Sequence, residues 1–205
     1  MALSIHLSGI LGVEAKARRI GADEVLSVLP RTEASSRFPW PSFDIPHHVV
    51  EVTDFGCGKL WPQDVIDDIM ATDGRSERMI PPSLEIVQRI IEVGAGALER
   101  ARYVADSIGH DADHTLLIHC HAGASRSVAA AFIILALEDG PGREEDSWER
   151  LCRIYGKGSC PSPNANLVLL ADQALDRDGR LFGVYERKRT EELAGMKDLD
   201  PNDFL

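Results

Sequence analysis

Apolar and polar positions along this chain change period several times, and the changes predict strands alternating with helices. Residues 4–8 read as a first strand and 13–20 as a short helix; Gly21-Ala22-Asp23 then turns into a second strand over 24–29, closed by Pro30. Residues 31–46 carry Pro39, Pro41 and Pro46 and read as loop, and 48–52 reads as a third strand ending at Thr53-Asp54. A polar stretch over 71–82 separates a short helix from a long one, for which Ser83 is the expected cap. Leu84, Val87, Ile91, Leu98, Ala101, Val104 and Ile108 hold helical spacing along that helix, with Gly94 and Gly96 expected to weaken its middle. Residues 115–118 form a short apolar run of the kind a buried strand shows, and 128–137 is apolar on nearly every side, as in a buried helix. Helices follow over 144–155 and 164–175, joined by a Gly/Ser/Pro loop. The alternation predicts an α/β layer fold with a mainly parallel central sheet flanked by helices.

Composition narrows the partners. At 205 residues the chain is expected to form one domain with a sizeable core over 1–185. A charged tail over 186–205 follows, whose acidic end (Glu191, Glu192, Asp198, Asp200, Asp203) is expected to be solvated and partly disordered. A formal net charge of −11 argues against nucleic acid and against an anionic membrane surface. The longest apolar run, 128–137, is too short to span a bilayer, and the N-terminus lacks the basic region and apolar core of a signal peptide. Cys57, Cys120, Cys152 and Cys160 show neither a disulfide framework nor zinc spacing, so a reducing cytoplasm is the expected location.

The densest chemistry lies in 119–127, His-Cys-His-Ala-Gly-Ala-Ser-Arg-Ser, between the short apolar strand and the buried helix. A loop whose backbone N–H groups converge at a helix N-terminus favours negative charge, which suits both a Cys120 thiolate and a phosphate held against its sulfur. Gly123, with the small Ala122 and Ala124, lets the backbone curl that tightly. Arg126 can return to the centre of the loop and grip two phosphate oxygens with its planar fork. Ser127 can donate to the sulfur as it becomes a leaving group, and His119 can orient the loop from behind. His121, Ala122, Gly123, Ala124, Ser125 and Arg126 are therefore the expected phosphate cradle. The expected reaction is attack of Cys120 on phosphorus, a phosphocysteine intermediate and hydrolysis, with no metal and no cofactor required. Two competing readings are a buried structural cysteine beside a helix-capping serine, and a rhodanese-like sulfur carrier, which His119 and the Arg126-Ser127 pair fit less well.

These residues match the pattern His-Cys-x5-Arg-Ser/Thr, and the chain resembles the cysteine-based protein tyrosine phosphatases, most closely their compact dual-specificity-like branch and the bacterial phosphatases similar to it. The resemblance covers most of residues 1–176, resting on 119–127 and more weakly on Asp54 and Pro163-Asn164. It implies a single-domain phosphotyrosine phosphatase-like fold and a general acid on a loop before the nucleophile. Asp54 holds that topological position, directly after the third strand, and the 57–82 segment looks like an insertion that lengthens its spacer to Cys120. The rival is Asp64 in Trp61-Pro62-Gln63-Asp64, which resembles the Trp-Pro-Asp loop of other members with one residue inserted. Asp54 is preferred because a strand end fixes geometry, whereas Asp64 also reads as an exposed loop residue or helix cap.

Positions 121–125 carry no lysine, where the related inositide phosphatases often place basic residues, so a phosphoprotein monoester, phosphotyrosine foremost, is the expected substrate and partner. The alternative is a pseudophosphatase module that binds phosphate without turnover. Cys57 lies three residues after Asp54 and reads either as a small buried hydrophobe or as a partner for a protective disulfide with Cys120. Adjacent His47 and His48 point to opposite faces of a strand and read as a solvated pair. His110, Asp111, Asp113 and His114 read as a polar turn capping the long helix rather than as a metal site.

Overall fold

Four short strands, β1 (Ser4–Ser8), β2 (Glu24–Val28), β3 (His47–Val50) and β4 (Thr115–His119), pair in parallel in the order β1-β4-β2-β3. The computed structural model describes residues 3–33, 39–55, 60–72, 79–108, 113–156 and 160–197. The two central strands, β2 and β4, bury every residue, as parallel strands covered on both faces do. Helix α1 (Val13–Ile20) covers one face, where its Val13 and Ala17 pack on Val25 and Leu117. The other face carries the main core: Leu26, Val28, Leu116 and Ile118 meet the helical layer there. That layer comprises α3 (Leu84–Ile108), α4 (Arg126–Asp139), α5 (Glu144–Tyr155), α6 (Ala165–Ala174) and α7 (Arg180–Lys197). Helix α2 (Gln63–Thr72) lies between β3 and α3 in the chain, and a short 3₁₀ turn, Arg31–Glu33, follows β2. The architecture is the α/β layer that the hydrophobic pattern predicts, a parallel sheet flanked by helices.

Helix α4 is the centre of the core. Each residue from Arg126 to Ala136 is buried, which is why its sequence is apolar all round rather than amphipathic. Phe132 meets Trp148 of α5 edge-on at 5.3 Å between ring centroids, and Trp148 meets Tyr185 of α7 at 6.5 Å. Ser83 caps α3 by accepting the Ile86 N–H, as expected. Helix α3 runs without a break through Gly94, and Gly94 is where it closes on α4, since a Cβ there would lie 2.6 Å from Ile134 Cγ1.

The chain after 185 differs from the expected tail. Helix α7 runs from Arg180 through Lys197, so a boundary at 185/186 falls inside it. The physical reason is burial: Leu181, Val184 and Tyr185 dock in the main core and anchor the helix, along which the i,i+3 pairs Lys188–Glu191 and Arg189–Glu192 lie. Asp198, Asp200 and Asp203 lie outside the described residues. The third strand is His47–Val50 rather than 48–52, because the Val52 carbonyl leaves the ladder to accept from Arg126. No helix among the described residues is long and apolar enough to cross a membrane.

All four strands run the same way, so the segments leaving their carboxyl ends gather at one edge of the sheet: Gly9 after β1, Glu33 after β2, Val52 and Asp54 after β3, and 120–125 after β4. In open α/β sheets that edge is where ligands bind.

Candidate active site

The loop after β4 curls against the end of β1. Cys120 N–H reaches the Ser8 carbonyl at 3.4 Å, and Ile10 N–H reaches the His121 carbonyl at 3.0 Å. Gly123 makes the curl possible: its φ is +75°, and a Cβ there would lie 2.7 Å from both Ser8 C and Gly9 N. The loop therefore demands glycine twice, once for its dihedral and once for the close approach.

Within it Cys120 is 1% exposed. Its sulfur accepts the Gly123 N–H at 3.2 Å and lies 3.2 Å from Ser127 Oγ on the first turn of α4. Ser125 occupies the N-cap position of α4, yet its hydroxyl does not cap the helix; it donates to Asp54 Oδ1 at 2.9 Å. The same oxygen accepts Asn164 Nδ2 at 2.7 Å, while Asp54 Oδ2 is 3.7 Å from Arg126 Nε. Asn164 is fully buried and ties three segments together: it bonds Asp54 and the Phe55 carbonyl, its Oδ1 caps α6 through Leu167 N–H, and its own N–H reaches the Ser125 carbonyl. Asp54 thus sits beside the loop, as the third-strand placement predicts. Asp64 instead stands exposed in the first turn of α2, where a carboxylate favours the helix dipole. The chain just before α2 is pinned to α6 by a reciprocal pair, Trp61 N–H to Asn166 Oδ1 and Asn166 Nδ2 to the Trp61 carbonyl, and the Trp61 ring packs edge-on to Phe55.

Arg126 is buried, and its guanidinium reaches the segments that follow β2 and β3. Its Nη1 donates to Glu33 Oε1 at 2.6 Å and to the Val52 carbonyl at 2.9 Å, and its Nη2 donates to Glu33 Oε2 at 2.9 Å. Nε is buried and has no hydrogen-bond partner. Of the five N–H bonds in the fork, three are therefore used, and the two left over, Nε–H and one on Nη2, share an edge. Burial works against the charge of this group, but Glu33, Cys120 and Asp54 together hold it above its ordinary range.

His119 is fully buried behind Cys120, with Nδ1 3.4 Å from the Cys120 carbonyl and Nε2 2.6 Å from Ser27 Oγ. Burial pushes its pKa down to about 4, so it is neutral at physiological pH. Burial pushes the Cys152 thiol up and the Cys160 thiol up to about 11, which leaves both poor nucleophiles. Cys57 lies outside the described residues, and with it the Cys57–Cys120 disulfide.

Some polar candidates were misread as surface groups. His47 and His48 do face opposite sides of β3, but neither is merely solvated: His47 Nε2 is 2.7 Å from Ser27 Oγ, and His48 Nε2 is 2.9 Å from Glu24 Oε2. His114 is not a helix-capping turn residue; it is buried with Nε2 2.6 Å from Glu24 Oε1, because the start of β4 carries it between β2 and α3. His110 and Asp111 lie outside the described residues. Among the described residues no group of three or more His, Cys, Asp or Glu is arranged to hold a metal ion. Sequence reasoning missed Glu33 and Ser27 altogether. The end of β2 was legible, but nothing distinguished Glu33 from its neighbours in the loop read over 31–46.

No protein-family model matches the chain, and no curated protein matches it. Solved structures do. The chain is similar to the human tyrosine phosphatase-like serine/threonine/tyrosine-interacting protein, with TM-score 0.53 and 14% identity over 83% of this chain and 89% of that one. It is similar to PTPMT1 in complex with PI(5)P, with TM-score 0.51 and 12% identity over 84% and 90% of the two chains. A point variant of human DUSP28 gives TM-score 0.50 and 16% identity over 85% and 91%. At such identities the likeness is one of fold, and the fold is that of the dual-specificity and tyrosine phosphatase-like proteins.

Proposed function

We propose that this chain hydrolyses phosphate monoesters, protein phosphotyrosine foremost, through a phosphocysteine on Cys120. The observation that carries this reading is the buried Nε–H of Arg126, which has no hydrogen-bond partner, with one Nη2–H free beside it; Glu33 and the Val52 carbonyl take the other three N–H bonds, and Asp54 Oδ2 faces Nε from 3.7 Å. An arginine held so leaves two parallel N–H bonds for two oxygens of one tetrahedral anion, the pairing that suits phosphate. The fold likeness and the 119–127 pattern support the same reading.

The contacts support the following steps. The Cys120 sulfur attacks phosphorus while the bond to the substrate oxygen breaks, and Asp54, anchored through Oδ1 by Ser125 and Asn164, gives that oxygen a proton. Arg126 and the loop N–H groups bear the charge of the equatorial oxygens. Water then attacks the phosphocysteine, with Asp54 taking its proton, and Ser127 donates to the departing sulfur 3.2 Å away. Inorganic phosphate leaves and the thiolate is restored. The absence of lysine from 121–125 favours a phosphoprotein over a polyanionic inositide.

Hydrolysis of para-nitrophenyl phosphate by the wild type, Cys120→Ser, Asp54→Asn and Asp64→Asn, with and without vanadate, tests the reading. Cys120→Ser and vanadate should abolish turnover. Asp54→Asn should lower kcat on the order of 10²-fold with KM little changed, and Asp64→Asn should stay near wild type. A folded wild type without turnover would overturn the enzyme and leave a phosphate-binding module, for which phosphopeptide affinity is the measure.

A further inference from the structure

A file of hydrogen bonds runs from the edge strand to the nucleophile's own peptide. His47 on β3, Ser27 on β2 and His119 on β4 share the face of the sheet that α1 covers, with His47 Nε2 2.7 Å from Ser27 Oγ and that oxygen 2.6 Å from His119 Nε2. His119 Nδ1 is in turn 3.4 Å from the Cys120 carbonyl. The direction of each bond is forced. A carbonyl only accepts, so the hydrogen lies on His119 Nδ1; His119 is neutral, so its Nε2 has a lone pair and accepts. Ser27 has one hydroxyl hydrogen, which goes to His119, and its oxygen must then accept from His47 Nε2–H. His47 is half-buried, stacked on Trp40 at 6.2 Å and edge-on to Phe43 at 4.8 Å, so its ring is held in place to donate.

We propose that His47, acting through Ser27 and His119, is a positioning residue for the Cys120 loop, its Nε2–H fixing the tautomer and orientation of His119. The inference rests on the phosphatase reading for its consequence in turnover, but not for its geometry. The charged and titratable groups around His47 are Arg31 after β2, His48 beside it on β3 and His119 across Ser27. Burial, with Arg31 and His48, holds His47 below its ordinary pKa, which keeps it a neutral donor near pH 7. Protonation at lower pH strengthens its donation and polarises the whole file toward Cys120.

The test uses His47→Phe, which keeps a ring for Trp40 and Phe43 and deletes the donor, Ser27→Ala, the pair together, and His47→Gln, which restores an N–H at the same depth. Two quantities are read: kcat and KM on para-nitrophenyl phosphate, and the pH dependence of Cys120 alkylation by iodoacetamide, followed by peptide mass. His47→Phe should lower kcat about 2- to 10-fold, the worth of one hydrogen bond, with KM unchanged. It should also displace the half-maximal alkylation of Cys120 to higher pH. The double variant should be no worse than Ser27→Ala alone, and His47→Gln should return toward wild type. An alkylation profile unmoved in His47→Phe, or additive effects in the pair, would overturn the proposal even if melting temperatures fall. Alkylation needs no substrate, so a wild type that hydrolyses nothing would overturn the phosphatase reading while the proposal is still decided.

Discussion

The sheet carries a buried charged cluster at each end of its strands, and the two are built to opposite plans. At the amino ends, Glu24 is 1% exposed and its two carboxylate oxygens collect four contacts: His114 and Arg100 Nε on Oε1, Arg100 Nη2 and His48 on Oε2. Burial alone would raise the Glu24 pKa, but the bonds from His114, Arg100 and His48 outweigh it and hold it below its ordinary value. At the carboxyl ends, Arg126 is equally enclosed, yet only three of its five N–H bonds are used. Burying a charge with its hydrogen-bonding capacity filled ties strands together and leaves nothing to offer. Burying one with an edge left open stores a directed demand for an anion. Charge and burial alone do not separate a strut from a site, and unfilled capacity marks a candidate only at the carboxyl edge of the sheet beside the Cys120 loop: Arg177, buried against Ala136 of α4 and Glu144 of α5, also leaves Nε and Nη1 without hydrogen-bond partners.

Breaking the open cluster should cost activity. Arg126→Lys keeps the charge but not the fork, and should lower kcat about 10²- to 10³-fold while the protein stays folded, read by para-nitrophenyl phosphate kinetics beside circular dichroism. A variant within tenfold of wild type would mean that the open edge is not where phosphate binds. Acid should sharpen the contrast. His119, at the open end, is held neutral with its pKa near 4 against 6.5 unfolded, so its contribution is complete above 6.5 and lost as pH falls toward 4, about 3 kcal/mol in all. The Glu24 contribution has the same sign but starts to go only below the ordinary carboxylate value of 4.5. Urea midpoints at pH 7, 5.5 and 4.5 should therefore fall in the wild type, and fall less in His119→Asn, where His47 and His6, also held below their ordinary values, still contribute with the same sign. Breaking the closed cluster should cost stability alone. Glu24→Gln leaves His48, His114 and Arg100 without their carboxylate, but Arg100 is half-exposed and regains water, so the expected loss is about 2 kcal/mol in urea unfolding. Turnover per folded molecule should not change, and a change in kcat would erase the distinction between the two ends.

How much of this was legible beforehand follows from how far each signal reaches along the chain. Strands, helices and the parallel layer were readable because periodicity is local, and Asn164 and Ser83 cap their helices where a capping residue type precedes an apolar run. The misreadings share a cause. Gly94 looks only like a weak point in its helix until Ile134 occupies the space a side chain would need, and the chain after 185 looks like tail until Leu181 and Tyr185 find the core. His47, His48 and His114 look solvated because histidine is compatible with either fate, and only the neighbouring strands decide.

The sequence by itself determined the 119–127 loop: cysteine, glycine turn, arginine and serine are contiguous, so strand, curl and helix follow from the residues alone. Only the tertiary structure decided what surrounds it. Glu33 meets Arg126 across 93 residues, Asp54 meets Ser125 across 71, and Asn164 reaches back to Asp54 across 110. Those partners converge because parallel strands deliver their carboxyl ends to one edge, and a hydrogen bond between such ends leaves no period or spacing in the chain from which it could be read.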